Sequence, residues 1–176
     1  MEQIALKQTV LHYTGLSKDQ ADRLLQLCLD TPTTHTMGGR YIVQFGQDYI
    51  FSGRTFKATP IPEWLAQVIQ QVNQKTGQSF NAVLMNIYPA GSNVGIGFHA
   101  DDEPELGPDP VVASISLGAD CKFELRATQS DERVSMVLEH GDFLVMGKGC
   151  QKHYRHGIQR IVMPATRVSL TFRHVL

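Results

Sequence analysis

The segment Gly97-Phe98-His99-Ala100-Asp101-Asp102-Glu103 sets an imidazole and a carboxylate two residues apart, and in an extended chain His99 and Asp101 project to the same side. His156 offers a second imidazole further along. Two histidines and one carboxylate make a facial triad, a ligand set that favours iron(II) and leaves three positions open for a bidentate co-substrate and oxygen. A His-x-Asp spacing alone says little in a chain with seven histidines, where a surface histidine beside a turn is the plainer reading.

The last segment, Arg167-Val168-Ser169-Leu170-Thr171-Phe172-Arg173, adds weight. Alternation puts Arg167, Ser169, Thr171 and Arg173 on one face and Val168, Leu170 and Phe172 on the other. If the apolar face packs on helices, the polar face looks into the interior, where two arginines are costly unless an anion pairs with them. A small dicarboxylate would satisfy them; the alternative is an edge strand with a solvated face. Asn86 and Tyr88, interleaved with Met85 and Ile87, follow the same logic and would add hydrogen bonds to that anion.

Elements that must position these groups are visible upstream. Ser17-Lys18-Asp19-Gln20 reads as a capping box, with Ala21, Leu24, Leu25 and Cys28 at helical spacing up to a stop at Asp30-Thr31-Pro32. A second helix starts with Pro62 at its first helical position, carries Leu65, Val68, Ile69 and Val72 on one face and ends at Gly77. Between them, residues 40–45 and 49–51 suggest a hairpin turning at Gly46-Gln47-Asp48. From Ala82 on, the pattern is short strands: residues 82–88, 111–117, 122–126, 134–138, 143–146 and 167–172. Helices first and strands after predict an α+β, mainly β fold, with helices packed on a β-sandwich or jelly roll.

At 176 residues, with 42% hydrophobic and 19% charged residues, the chain fits one domain, divided as helices and lid over 1–80 and jelly-roll core over 81–176. No apolar run reaches membrane-spanning length, so no membrane partner is expected. Met1 to Thr9 lacks the look of a secretory signal. Cys28, Cys121 and Cys150 have no zinc-type spacing, and an odd cysteine count fits a reducing, intracellular, cytoplasmic setting, the nucleus not excluded. A net charge of -1 excludes a surface basic throughout; nucleic acid would need a local patch. Nothing in the pattern demands association, so a monomer is expected.

Taken in order, Asn86-Ile87-Tyr88, His99-Ala100-Asp101, His156 and Arg167-x-Ser-Leu-Thr-Phe-Arg173 resemble the AlkB family of Fe(II)- and 2-oxoglutarate-dependent dioxygenases, from about Arg40 to the C-terminus. The resemblance implies a double-stranded β-helix whose mouth is covered by a nucleotide-recognition lid. It implies iron held by His99, Asp101 and His156, which would be catalytic through the metal, with His153 as the rival for the third ligand. It implies 2-oxoglutarate bound by Asn86, Tyr88, Arg167, Ser169 and Arg173, with oxygen as the other co-substrate. Many relatives carry asparagine where Ser169 stands.

The same resemblance implies oxidative demethylation of N-alkylated bases such as 1-methyladenine and 3-methylcytosine in DNA or RNA, a repair of alkylation damage that releases formaldehyde, succinate and CO2. Tyr49-Ile50-Phe51-Ser52-Gly53 matches the lid segment, so Phe51 and His99 would sandwich a flipped base, with Glu103 near its exocyclic amine. Tyr49, Ser52 and Arg40 complete the substrate set. Arg40, Arg54, Lys57, Lys148, Lys152, Arg155 and Arg160 would form a phosphate rim, and the modest charge favours short or single-stranded nucleic acid. The competing readings are a related dioxygenase acting on a protein or small molecule, a catalytically silent nucleic-acid-binding relative, and a cupin-type or lectin-like jelly roll. The arginines of the last segment argue against the last of these, and the complete triad argues against a silent relative.

Overall fold

Ser17 caps helix α1 (Lys18–Leu29) in the computed structural model, which describes residues 10–176. Its Oγ accepts from the Gln20 N–H at 3.2 Å, and Gln20 Oε1 accepts from the Ser17 N–H at 2.9 Å, so two N–H groups beyond the reach of helical carbonyls are satisfied. Ala21, Leu24 and Cys28 form its buried stripe. Helix α2 (Glu63–Thr76) buries Leu65, Ile69 and Val72 and stops at Gly77, whose φ of 67° is left-handed. Pro62 is the N-cap of α2 and not its first helical residue: its ψ of 157° is extended, bringing the chain in from the bridge between Phe45 and Thr59. The stretch Met1 to Thr9, read for a secretory signal, lies outside the described residues.

Thirteen strands are formed among the described residues: β1 (Val10–Thr14), β2 (His35–Met37), β3 (Arg40–Phe45), β4 (Tyr49–Phe51), β5 (Arg54–Phe56), β6 (Ala82–Tyr88), β7 (Asn93–His99), β8 (Val112–Gly118), β9 (Cys121–Ala127), β10 (Arg133–Leu138), β11 (Asp142–Met146), β12 (Tyr154–Val162) and β13 (Arg167–Arg173). A short helix, α3 (Cys150–His153), leads into β12. One sheet has the order β1-β11-β8-β13-β6-β3-β2 and the other β10-β9-β12-β7. From β6 to β13 the chain alternates between the sheets, reversing within the second at the β9–β10 hairpin, which is the jelly-roll winding.

One expected strand pairing needs correction. Residues 40–45 and 49–51 form no hairpin: both edges of β3 are taken, by β2 and β6, so β4 has no edge to join and pairs with β5. Asp48 fixes the departure, its carboxylate accepting from the Ala58 N–H at 2.7 Å and from Lys57 Nζ at 3.0 Å. Strands β1, β2 and β3, which precede residue 81, are also part of the larger sheet.

Strand β13 lies at the middle of that sheet, between β8 and β6. Val168, Leu170 and Phe172, each fully buried, join α1 and α2 in the main core through Leu24, Cys28, Leu65 and Val72. The opposite face of β13 looks between the sheets. Leu170→Ala should therefore lower stability by about 2–5 kcal/mol, the usual range for emptying a leucine site in a packed core, read as a shifted urea midpoint at unchanged slope.

Candidate active site

Register in the larger sheet builds the floor of a cavity of about 210 Å³. Across β6, β13 and β8 the inward side chains fall in rows: Tyr88 beside Arg167 opposite Gly118, then Asn86, Ser169 and Ser116, then Leu84, Thr171 and Ser114. Ser114 and Thr171 line the cavity and Ser116 accepts from Arg167 at its edge, none of them among the residues expected at the site; their place in polar alternation opposite Arg167 and Ser169 was the available signal. The smaller sheet supplies the roof with Ile96, His99, Phe123, His156 and Ile158.

Strand β7 reaches His99 through a bulge. The pairs His156↔His99 and Ile158↔Ile96 span three residues on β7 against two on β12, so Ile96 and His99 both line the cavity despite their odd separation. Gly157 makes this possible, since a Cβ there would sit 2.8 Å from the Ile96 carbonyl oxygen. Asp101 follows the end of β7, and ligand atoms of His99, Asp101 and His156 lie within 4.8 Å of one another. Their Nε2 atoms stand 3.7 Å (His99) and 3.8 Å (His156) from the two oxygens of Asp101. His153 lies outside this cluster, exposed in α3.

The chemistry of this donor set fits a cation. Burial pushes the His156 imidazole down to about 4, so at neutral pH it is an uncharged lone-pair donor and not an ion-pair partner. His99 Nδ1 lies 2.9 Å from the Gly97 carbonyl oxygen, which can only accept; Nδ1 therefore carries the hydrogen and Nε2 faces Asp101 with its lone pair. Burial raises the Asp101 carboxyl, but the net shift is below the ordinary carboxylate range, with the Arg173 guanidinium foremost among the groups that lower it. Its Oδ2 is buried without a hydrogen-bond donor, and Oδ1 accepts from Arg173 Nη2 at 3.3 Å. Three converging lone-pair donors with no proton between them are stable together when a metal ion joins them.

The far end of the cavity fits an anion. Arg167 is buried, and its Nη2 donates to Ser116 Oγ at 3.1 Å while Nε and Nη1 are buried with no hydrogen-bond partner. Nearby, the Tyr88 ring lies 5.0 Å from the guanidinium, its hydroxyl also buried and unpaired. The buried Cys121 thiol beside Arg167 is only a weak sulfur acceptor. No carboxylate of the described residues pairs with this guanidinium, which leaves a fork of donors that a bidentate anion would match. Asn86 Oδ1 accepts from Arg40 Nε at 2.8 Å, which turns its amide N–H donors the other way.

The mouth is bordered by the β4–β5 hairpin. Its turn, Ser52-Gly53, has φ of 50° and 70°, the primed geometry that matches strand twist. Phe51 stacks on Phe56 with centroids 4.4 Å apart, and Tyr49 donates its hydroxyl to Glu103 Oε2 at 2.8 Å. Burial raises the Glu103 carboxyl above its usual value. Arg40, Tyr49, Phe51, Ser52 and Glu103 all line the cavity. Of the remaining cations expected at a phosphate rim, Arg54, Arg155 and Arg160 donate to backbone carbonyls, of Thr36, of Gln151 and Tyr154, and of Asn93; Lys57 pairs with Asp48. Among the described residues no helix is long and apolar enough to cross a membrane.

Comparison with known proteins agrees with this geometry. The profile of the 2OG-Fe(II) oxygenase superfamily matches residues 8–173, reaching back past Arg40, where the sequence resemblance was expected to begin. "Alpha-ketoglutarate-dependent dioxygenase alkB homolog 3" of Bos taurus is 33% identical over 173 residues, 85% of this chain and 59% of the relative. "DNA oxidative demethylase ALKBH2" of Mus musculus is 39% identical over 142 residues, 74% of this chain and 58% of the relative. The chain thus spans less than two thirds of the length of these relatives. The solved structure of OsALKBH1 superposes with a TM-score of 0.66 at 20% identity, covering 94% of this chain and 98% of the other, a likeness of fold. The chain belongs to the 2OG-Fe(II) oxygenase superfamily, and within it to the AlkB family.

Proposed function

We propose that this protein is an Fe(II)- and 2-oxoglutarate-dependent dioxygenase that removes N-methyl groups from nucleic-acid bases such as 1-methyladenine and 3-methylcytosine. The observation that carries the reading is a buried, partly unpaired Arg167 in one cavity with the cluster of His99, Asp101 and His156. His99, Asp101 and His156 would hold iron. Arg167 would take the distal carboxylate of 2-oxoglutarate in a bidentate pair, with Tyr88 and Asn86 donating beside it and Ser169 as a shorter neighbour. Arg173 would act at the metal end, where it already holds Asp101.

Iron(II), when bound with 2-oxoglutarate and oxygen, supplies the oxidation that turns the methyl carbon into a carbinol, which leaves as formaldehyde while succinate and CO2 form. The chain's own residues do the positioning. Phe51, backed by Phe56, would offer a stacking face for a base, with His99, which lines the same cavity, as the opposite wall. Glu103 would exchange its Tyr49 hydrogen bond for one from the exocyclic amine of a cationic methylated base, and Ser52 and Arg40 border that base. Apolar lining from Leu84, Ile96, Phe123, Leu144 and Ile158 excludes water. The names of the relatives, a DNA oxidative demethylase among them, support a base as substrate.

A net charge of -1 and side chains already engaged at the expected rim support a short or single-stranded nucleic acid, DNA or RNA. Three free, buried cysteines support a reducing compartment, and the described residues work as one monomeric unit in this reading. The test is decarboxylation of 2-oxoglutarate with and without oligonucleotides. A 1-methyladenine or 3-methylcytosine strand should stimulate it above the unmethylated strand, and equal rates with both would contradict a base substrate. Phe51→Ala should then weaken the methylated strand's apparent affinity by about 1–3 kcal/mol, the range for lost base stacking, with unstimulated decarboxylation unchanged.

A further inference from the structure

Asp101 lies beyond the last residue of β7, so no strand partner meets its backbone N–H, and the residue is buried. That N–H donates to Gln151 Oε1 at 2.8 Å across fifty residues of chain. Gln151, 3% exposed, is the second residue of α3, which runs directly into β12 and His156. A backbone N–H can only donate, so the amide oxygen of Gln151 must face Asp101. Its Nε2 then faces Met146 Sδ, 3.8 Å away. A second tie joins the same segments, the Gly149 N–H donating to Asp109 Oδ1 at 2.8 Å. The chain from Asp101 to Asp109 is thereby fastened to α3 at both of its ends.

We propose that Gln151 is a positioning residue for the metal centre: it fixes the backbone of Asp101 relative to His156 and so sets how tightly the centre holds its ion. The proposal rests on reading His99, Asp101 and His156 as metal ligands. The carboxylate of Asp101 has one side-chain hydrogen bond, the 3.3 Å contact with Arg173, which does not restrain the main chain. Removing the Gln151 acceptor leaves a buried N–H unsatisfied, and the segment must shift to reach water. A shift there moves the carboxylate away from the two imidazoles. Groups that orient a metal ligand in this way change affinity by about ten- to a hundredfold.

The experiment is titration of the metal-free protein with Co(II), followed by visible absorption, alongside the thermal melting temperature without metal. Gln151→Leu should weaken Co(II) binding about ten- to a hundredfold and alter the absorption bands, while the metal-free protein still melts cooperatively, at a temperature lowered by no more than the loss of one buried hydrogen bond accounts for. Gln151→Glu, which keeps an oxygen in place for the Asp101 N–H, should restore most of the affinity. Equal Co(II) affinity in Gln151→Leu and the unaltered protein, or equal loss in the Leu and Glu variants, would overturn the proposal. If Gln151→Leu does not fold, Gln151→Asn takes its place, being too short to reach Asp101; equal affinities of the Asn and Glu variants would overturn it. Failure of the unaltered protein to bind Co(II), or undiminished binding in His99→Ala, would remove the metal centre itself and is distinguishable from either result.

Discussion

Alanine at His99, Asp101 or His156 is expected to abolish metal binding and bring 2-oxoglutarate turnover down to the level of a metal-free control. Each supplies one of three lone-pair donors that converge within 4.8 Å, and no other cluster of three such groups is found among the described residues. The three variants should differ in stability. His99 is partly exposed, so His99→Ala should fold normally and gives the cleanest test. Asp101→Ala also strips the buried Arg173 of its carboxylate, and an uncompensated buried charge costs about 3–5 kcal/mol. Calorimetric titration with Mn(II), paired with a melting curve for each variant, separates lost ligation from lost fold. Full turnover in any one of them would refute the triad.

Arg167→Ala should weaken 2-oxoglutarate binding by about 2–5 kcal/mol, roughly 30- to 5,000-fold, while metal affinity stays within a few fold. The size follows from burial: the guanidinium is 1% exposed, with two nitrogens free of any hydrogen-bond partner, so a carboxylate bound there is fully desolvated and meets a matching fork of donors. Arg167→Lys keeps the charge but not the fork, and should recover only part of the loss. Truncation also removes an unpaired buried charge, so the metal-free protein should not be destabilised as Asp101→Ala is. Unchanged 2-oxoglutarate affinity, measured by titration into metal-loaded protein, would show that the anion binds elsewhere.

Much of this site was legible in the sequence because β-strand alternation is a strict geometric rule. Alternation separated Val168, Leu170 and Phe172 from Arg167, Ser169 and Arg173; which set faced the helices depended on whether the strand was central or at an edge, and in the central strand the apolar set meets the helices while the polar set lines the cavity. The capping box of α1 was equally legible, being a local hydrogen-bond pattern. What alternation could not give was β7 and β12. Asn93-Val-Gly-Ile-Gly-Phe-His99 is rich in glycine, and Tyr154 to Val162 mixes polar residues around Gly157, so neither reads as a strand. Their bulge, which points both Ile96 and His99 inward, depends on the pairing of segments more than fifty residues apart.

The false hairpin between residues 40–45 and 49–51 has the same origin: local turn residues suggested it, and the edges of β3 were already occupied by strands distant in sequence or unrecognised. Gln151 was invisible for a related reason. A glutamine in a four-residue helix carries no motif, and its role appears only where Asp101, fifty residues earlier, lacks a strand partner for its N–H.

The most direct test is loss of the methyl group itself. The protein, supplied with Fe(II), 2-oxoglutarate and oxygen, would be incubated with matched DNA and RNA oligonucleotides carrying 1-methyladenine or 3-methylcytosine, with formaldehyde and strand mass measured together. Methyl loss matched by formaldehyde, and dependent on all three additions, is the predicted result. Consumption of 2-oxoglutarate with every methyl group retained would contradict the base substrate, and no consumption by protein verified to hold iron would contradict the enzyme.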